Sequence, residues 1–416
     1  MKIISVRAIE ILDSRGNPTL KTFVTLDDGT VGTASVPSGA STGTHEALEL
    51  RDETDHFLGT GVQHAVQNVQ TIINSEVSGM NIDHLDKIDQ HMLDIDGSDN
   101  KSVLGANAIL SVSLACARAF ALYHHTPLWD ALNEFYFDTH QTQFPRLMVN
   151  IINGGAHANW NLDIQECMIV PKDRLPSTSI EIAANVFHTL RKLLIEKNLS
   201  TGVGDEGGFA PQLPTNSSAF DLIQQAIQDA GYTRNDIDIA TDIAASELYK
   251  DGTYVLHKDG PYDERTLSSA ELSDYYSTLI SQYDLMSLED PFHEDDWYAF
   301  THFTHLCGKD RMIVGDDLYV TNPKRIEKGI HEKATNSILI KVNQIGSLYE
   351  TATAIKMAKK AGWKVIISHR SGETEDPFIS DLSVACGADF IKAGSMSRSE
   401  RLAKYNRLLE IEKIEK

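Results

Sequence analysis

Six short apolar runs each end in an ionisable residue: IATD at Asp242, LMSLE at Glu289, MIVGD at Asp316, ILIK at Lys341, VIISH at His369 and DFIK at Lys392, with successive ends 23 to 47 residues apart. A strand, a returning helix and two loops use about that much chain. One ionisable group per strand end, repeated in register, is how a β/α barrel builds a site at the C-terminal mouth of its strands. Three carboxylates, two ammoniums and an imidazole at one mouth point to a metal ion and to proton transfer from carbon.

With 416 residues, the chain has room for two domains, one of them a barrel of about 250 residues. The net charge of −22 argues against a nucleic-acid or anionic-membrane partner, and it requires a local cationic pocket for any phosphorylated substrate. Cys116, Cys167, Cys307 and Cys386 form no C-x-x-C pair and read as buried free thiols in a reducing compartment. The first residues, MKIISVRAIEILDSRG, lack the apolar core and cleavage site of a signal peptide. No uninterrupted run of 18 apolar residues occurs, so no membrane span is expected.

Residues 1–35 alternate apolar and polar around the turns DSRGNPT and DDG, which predicts a three-stranded antiparallel meander. A Gly/Ser loop, PSGASTG at 37–43, follows, then helical patterns near 60–75, 84–94 and 102–122. These make an α+β N-terminal domain, 1–134, and the weakly patterned stretch 133–146 reads as the linker to a second domain, 135–416. Further on, Ser268 with Glu271 and Ser347 with Glu350 read as capping boxes. Asp376-Pro377 reads as an N-cap followed by a first-turn proline.

Asp242, Glu289 and Asp316 form a hard-oxygen set suited to Mg²⁺. Any one of them alone reads as a solvated loop acid. Lys341 shares strand parity with Leu339, which aims it into a barrel interior. Other cations around it would favour the neutral amine, a base. Glu166, in LDIQECMIV, and Glu206, in VGDEGGFAP, are acids of a different kind of segment; if neighbours, they could share a proton and serve as a general acid. By spacing alone they are one structural acceptor and one loop acid. His369, Arg370 and Ser371, followed by Gly372, suit a phosphate. His157 follows two glycines, where backbone can approach a ligand. Gly202, Gly204 and Gly207 match the dinucleotide spacing G-x-G-x-x-G, but they follow a helical pattern and enclose Asp205 and Glu206, so that reading is rejected.

Taken together, SHRSGETED (368–376), VGDEGGFAP (203–211), SLEDPF (287–292), KVNQIG (341–346), PSGASTG (37–43), DSRGNPT (13–19) and LGANAILSVSLA (104–115) resemble the enolase family in content and order, from about residue 3 to 407. The resemblance implies an α/β fold: an α+β N-terminal lid domain before a (β/α)8-type barrel with an irregular start, one early strand running against the others. It implies a lyase of glycolysis that dehydrates 2-phosphoglycerate to phosphoenolpyruvate with two Mg²⁺ ions. Asp242, Glu289 and Asp316 would hold the first ion, and Ser41 would join the second as substrate arrives. Lys341 would be the base and Glu206 the acid, with Glu166 beside it. His157, Gln165, His369, Arg370, Ser371 and Lys392 match substrate-contacting positions. A cytoplasmic homodimer, or an octamer of paired dimers, is implied; relatives also occur at the cell surface without a signal peptide. Trp160, Ser111, Cys167 and Pro377 depart from the family's usual residues.

Overall fold

The computed structural model describes residues 1–39, 42–138, 143–258 and 265–415. Three antiparallel strands open the chain, β1 (Ile3–Leu12), β2 (Pro18–Leu26) and β3 (Val31–Ser35), side by side in that order. The turn between β1 and β2 is closed by Asp13, whose carboxylate accepts from the backbone N–H groups of Arg15 and Asn17. The apolar helix Ala106–Tyr123 packs on this sheet so closely that a side chain at Gly32 would lie 2.2 Å from the Ala115 carbonyl. That helix is long and apolar enough to cross a membrane by length and composition, and here most of its side chains are buried. Ser111 belongs to it and accepts from the Thr22 hydroxyl at 2.7 Å, so this departure joins helix to sheet. The first helical pattern is broken up as Gln63–Asn68, a widened turn Val69–Ile73, and Asn74–Val77.

The second part is a closed barrel. Its strands are β4 (Arg146–Asn153), β5 (Glu166–Pro171) and β6 (Ile237–Asp242). After a small antiparallel sheet, β7 (Tyr249–Lys250), β8 (Thr253–Leu256) and β9 (Arg265–Leu267), it continues with β10 (Leu285–Glu289), β11 (Met312–Gly315), β12 (Ser337–Ile340), β13 (Lys364–Ser368) and β14 (Phe390–Lys392). The ring closes β4-β5-β6-β10-β11-β12-β13-β14. β5 runs antiparallel to both β4 and β6, and the other neighbours pair parallel. The early reversed strand is therefore present.

Helix boundaries follow local chemistry. Ser268 and Glu271 form the full capping box, whereas Ser347 accepts from the Glu350 N–H and donates to its carboxylate. The helix expected to begin at Pro377 instead begins at Phe378, with Pro377 as its cap. Asp376 still accepts from the Phe378 N–H at 3.0 Å while gripping Arg118 through both carboxylate oxygens. Within the expected linker, Asn133–Phe137 continues a helical turn and Arg146 already begins β4; residues 139–142 lie outside the described residues.

The barrel interior is floored by Met148, Met168, Val170, Ala240, Val314, Leu339, Ile366 and Phe390. Side chains alternate along a strand, so the residue two steps toward the mouth faces the same interior. From Ala240 that residue is Asp242, from Val314 it is Asp316, from Leu339 it is Lys341, and from Phe390 it is Lys392. β5 points the other way, so from Met168 the count runs backward to Glu166. A single pleat thus sets an apolar floor beneath a layer of ionisable groups. Cys167 has the opposite parity and packs in the larger core, not beneath the Glu166 carboxyl.

Candidate active site

The strand ends converge as the sequence predicts, and the reversal of β5 accounts for one more acid. In the ladder Glu166 lies opposite Asp242 on one side and Asn153 on the other, and Asp242 lies opposite Glu289. One pocket is lined by His157, Gln165, Glu166, Glu206, Asp242, Asp316, Lys341, His369, Arg370, Ser371 and Lys392, together with Asp290 and Asp317. Glu289 lies behind this lining, wholly buried and bonded to Lys392. Ser41 lies outside the described residues.

Lys392 is the hub. Its Nζ lies 2.7 Å from Glu289, 3.0 Å from Asp242 and 3.1 Å from Glu166. Burial works against its charge, but Asp242, Glu166 and Glu289 outweigh burial and hold its proton on well above the ordinary lysine range. Glu289 is pushed well up by burial and then by Asp242.

Lys341 corrects one expectation. Burial, Arg370 and Lys392 all favour its neutral amine, as anticipated, but its Nζ pairs with Asp316, and the ammonium is held up at about 12. Asp316 is lowered in turn: burial raises it, and Lys341 more than compensates. The cause is topological, since Asp316 and Lys341 each follow neighbouring strands, β11 and β12, and face one interior.

The acid pair is also resolved. Glu166, Glu206 and His157 offer ligand atoms within 4.8 Å of one another. Burial, and then Glu206, push Glu166 well up. Glu206 also feels burial, but His157 and His369, followed by Lys392, take it well below the carboxylate range. The proton of the pair therefore rests on Glu166, and Glu206, expected as the acid, carries the charge. Glu206 accepts from Asn150 at 2.8 Å and lies 3.4 Å from His369 Nε2. Arg401 donates to His369 Nδ1 at 2.6 Å. Because a guanidinium only donates, Nδ1 must accept, which places the imidazole hydrogen on Nε2, toward Glu206. Burial keeps this ring neutral.

Arg370 is buried, with its Nη1 and Nη2 on Glu46 at 2.9 and 3.0 Å. It lies so close to the start of the Gly/Ser loop that a Cβ at Gly39 would be 2.1 Å from Nη2. His157 sits in the single turn Gly155–Ala158. Trp160, just beyond, has φ 56° and is 41% exposed.

As the side chains stand, Asp242, Glu289 and Asp316 do not close on one point: the first two flank Lys392 and the third holds Lys341. The tight carboxylate set is Asp290, Asp316 and Asp317. Asp290 accepts from the backbone N–H groups of Asp316 and Asp317, and burial and then Asp317 push it well up. Six carboxylates but three cationic side chains line the pocket; the shortfall is met by raised, protonated acids. A hard divalent cation would meet it as well, so this donor set fits Mg²⁺. Both ring nitrogens of His157, Glu166 Oε2, Gln165 Oε1 and His369 Nε2 are buried without a hydrogen-bond partner among the described residues. Buried orphans on one pocket wall are groups awaiting a polar ligand.

Asp290, Asp317, Glu46 and Arg401 escape a reading of the sequence. The adjacent acids in SLED and VGDD are the available signal for the first two. Glu46 and Arg401 have none, since each acts on a turn more than 30 residues away.

The fold and this site define a barrel enzyme of carboxylate and lysine chemistry. Residues 3–132 match the family model for the enolase N-terminal domain, and residues 141–415 match that for the enolase C-terminal TIM barrel domain. The chain belongs to the enolase family.

Proposed function

We propose that this chain catalyses the reversible Mg²⁺-dependent dehydration of 2-phosphoglycerate to phosphoenolpyruvate. The observation that carries the reading is one pocket in which an interior lysine, a carboxyl pair with one proton, buried acids and an Arg-Ser turn all meet. Asp242, Glu289 and Asp316 would hold the metal, with Ser41 joining a second ion. Mg²⁺ supplies Lewis-acid stabilisation of the charge that builds on the substrate carboxylate; sites of the enolase superfamily are themselves the standing example of a Lys or His base beside one or two Mg²⁺ ions.

The protein's own groups do the rest. Lys341 is assigned removal of the C2 proton. Asp316 is what keeps Lys341 protonated. Once that carboxylate is committed elsewhere, Arg370 and Lys392 remain beside the amine, and both depress it. Glu166 holds the proton of the acid pair and would hand it to the Glu206 carboxylate, which lies within 4.8 Å; Glu206, so protonated, is the member assigned to pass that proton to the leaving C3 hydroxyl, and the pair is left with both carboxylates charged. Lys392 and Gln165 face the substrate carboxylate. Arg370 and Ser371 anchor the phosphate, which positions the reacting carbons. A cytoplasmic setting and a homodimer, with an octamer as the larger assembly, complete the proposal; neither a membrane nor a nucleic acid is a proposed partner.

Purified protein given 2-phosphoglycerate and Mg²⁺ is expected to produce phosphoenolpyruvate absorbance, and EDTA to abolish it, with recovery on adding Mg²⁺ in excess. Equal rates with and without chelator, or no turnover at all, would defeat the reading.

A further inference from the structure

The last helix, Ser399–Glu415, sends two wholly buried cationic side chains, Arg401 and Lys404, against the turn that follows β13. They stand three residues apart, on one face of the helix. Lys404 Nζ lies 2.7 Å from Glu373 and 2.5 Å from the Thr374 carbonyl. Arg401 Nη1 donates to His369 Nδ1 and to the Arg370 carbonyl, each at 2.6 Å. Its Nη2 donates to the carbonyl of Ser371 at 2.5 Å and to that of Asp205 at 3.1 Å. One guanidinium therefore holds the His369 ring on one side and, on the other, the peptide that leads into Glu206. The fit is close: a Cβ at Gly394 would lie 2.7 Å from Arg401 Cδ and 2.8 Å from the Glu206 carbonyl. A buried planar fork with this many fixed acceptors has little freedom to turn, and in this arrangement His369 Nε2 comes 3.4 Å from Glu206 Oε1.

We propose that Arg401 is a positioning residue for the acid pair: by donating to His369 Nδ1 it restricts the imidazole to the Nε2–H tautomer, so that His369 meets Glu206 only as a hydrogen-bond donor. A neutral imidazole carries its hydrogen on either nitrogen, and the bond made at one nitrogen decides the state of the other. A guanidinium cannot accept, so the Nδ1–H form would set hydrogen against hydrogen. It would also turn the Nε2 lone pair on the Glu206 carboxylate. In that form a proton arriving on Glu206 would be shared with Nε2 and withheld from the leaving hydroxyl. With Nε2–H in place, the charge that returns to Glu206 as its proton departs meets a fixed donor. His369 itself gains and loses no proton in this step. The inference rests on the proposed role of Glu206 in turnover, whereas the tautomer itself does not depend on it.

The test uses the full chain as wild type and as R401M, R401K, H369N and R401M/H369N. Proton–nitrogen NMR spectra of protein carrying isotope-labelled histidine tell the two neutral tautomers and the imidazolium apart, and H369N identifies the His369 signals. The wild type is expected to show His369 protonated at Nε2 and bare at Nδ1, and R401M to show hydrogen on Nδ1. R401K, which keeps a cationic donor, should keep the wild-type tautomer. With 2-phosphoglycerate, R401M is expected to lose about tenfold or more in kcat while KM moves less than about threefold, since Lys404 still holds the turn. A loss of the same kind, about 10⁴ in kcat, follows when a hydrolase histidine is deprived of the carboxylate that fixes its tautomer. In the H369N background R401M should cost less than about threefold more in kcat, because residues that act as a unit are not additive. An Nδ1–H ring or an imidazolium in the wild type would overturn the proposal, whether or not any variant folds. So would an unchanged tautomer in R401M, a raised KM at constant kcat, or an equal kcat loss from R401M in both backgrounds, which would leave Arg401 a prop for the turn alone. If the wild type turns over no 2-phosphoglycerate, the proposed function fails, and the spectra still decide whether Arg401 sets the tautomer.

Discussion

Lys341→Ala is expected to lower kcat by roughly 10²- to 10⁴-fold, the usual contribution of a positioned proton-transfer group. The substitution has a second effect that must be separated from the first. Lys341 is the main partner of Asp316, and stripping one member from a buried pair costs about 3–5 kcal/mol because the other is left uncompensated. Asp316 retains a 2.9 Å hydrogen bond from Gln344, so the lower end of that range applies. The pH dependence follows from the direction of the shift. Lys341 titrates at about 12 in the fold against 10.5 outside it. Its stabilising contribution is therefore fully present below 10.5 and disappears as pH rises through about 12, and at neutral pH the variant lacks all of it. The double variant K341A/D316N should regain most of the lost stability in urea denaturation and none of the turnover. A single variant that keeps kcat within about tenfold of wild type would remove Lys341 from the base's role, and a double variant that regains activity would show that only the ion pair mattered.

The parts of this site that are legible in sequence are those fixed by the two-residue repeat of a strand. Asp242, Asp316, Lys341 and Lys392 each stand two positions beyond an apolar floor residue, a pattern visible without coordinates. The direction of β5 leaves no such local mark: LDIQECMIV reads the same run either way, and Glu166 reaches the mouth only because that strand is reversed. Family resemblance, not spacing, carries the reversal. The 47-residue gap between Asp242 and Glu289 reads as one more strand-helix unit, yet it also contains the sheet β7–β9. Its signal is present in YKDGTY, where Asp251 and Gly252 take φ of 50° and 90°, the left-handed pair that a two-residue hairpin turn demands. Protonation is the least legible property. Sequence places cations around Lys341 correctly, but one carboxylate in contact outweighs several charges at a distance in a desolvated pocket. The division of labour between Glu166 and Glu206 likewise hangs on which way His157 and His369 face.

Lys392→Met is expected to be the most destabilising single substitution in the pocket. Methionine fills nearly the same volume, so packing is largely kept, and what is lost is the cation shared by Glu289, Asp242 and Glu166. Three buried carboxylates then face one another, and a loss of about 3–5 kcal/mol is the scale for an uncompensated buried charge. The loss must depend on pH, with a sign the shifts dictate. Lys392 is held above 10.5 in the fold, so its contribution is intact below 10.5 and the wild type carries it throughout the neutral range. Glu166 and Glu289 are raised well above 4.5 even with Lys392 present, by burial first and like charge second, and without it they rise further. An acid raised in the fold leaves stability intact below 4.5 and erodes it as pH climbs through the folded value. The deficit of the variant should therefore be largest near about pH 8 and shrink toward about pH 5, as the carboxylates take up protons in place of the missing ammonium. Urea denaturation of both proteins at the two pH values reads it directly. A deficit of equal size at both would mean that methionine fails by packing, and a deficit below about 1 kcal/mol, the scale of an exposed ion pair, would mean that Lys392 does not hold these acids together.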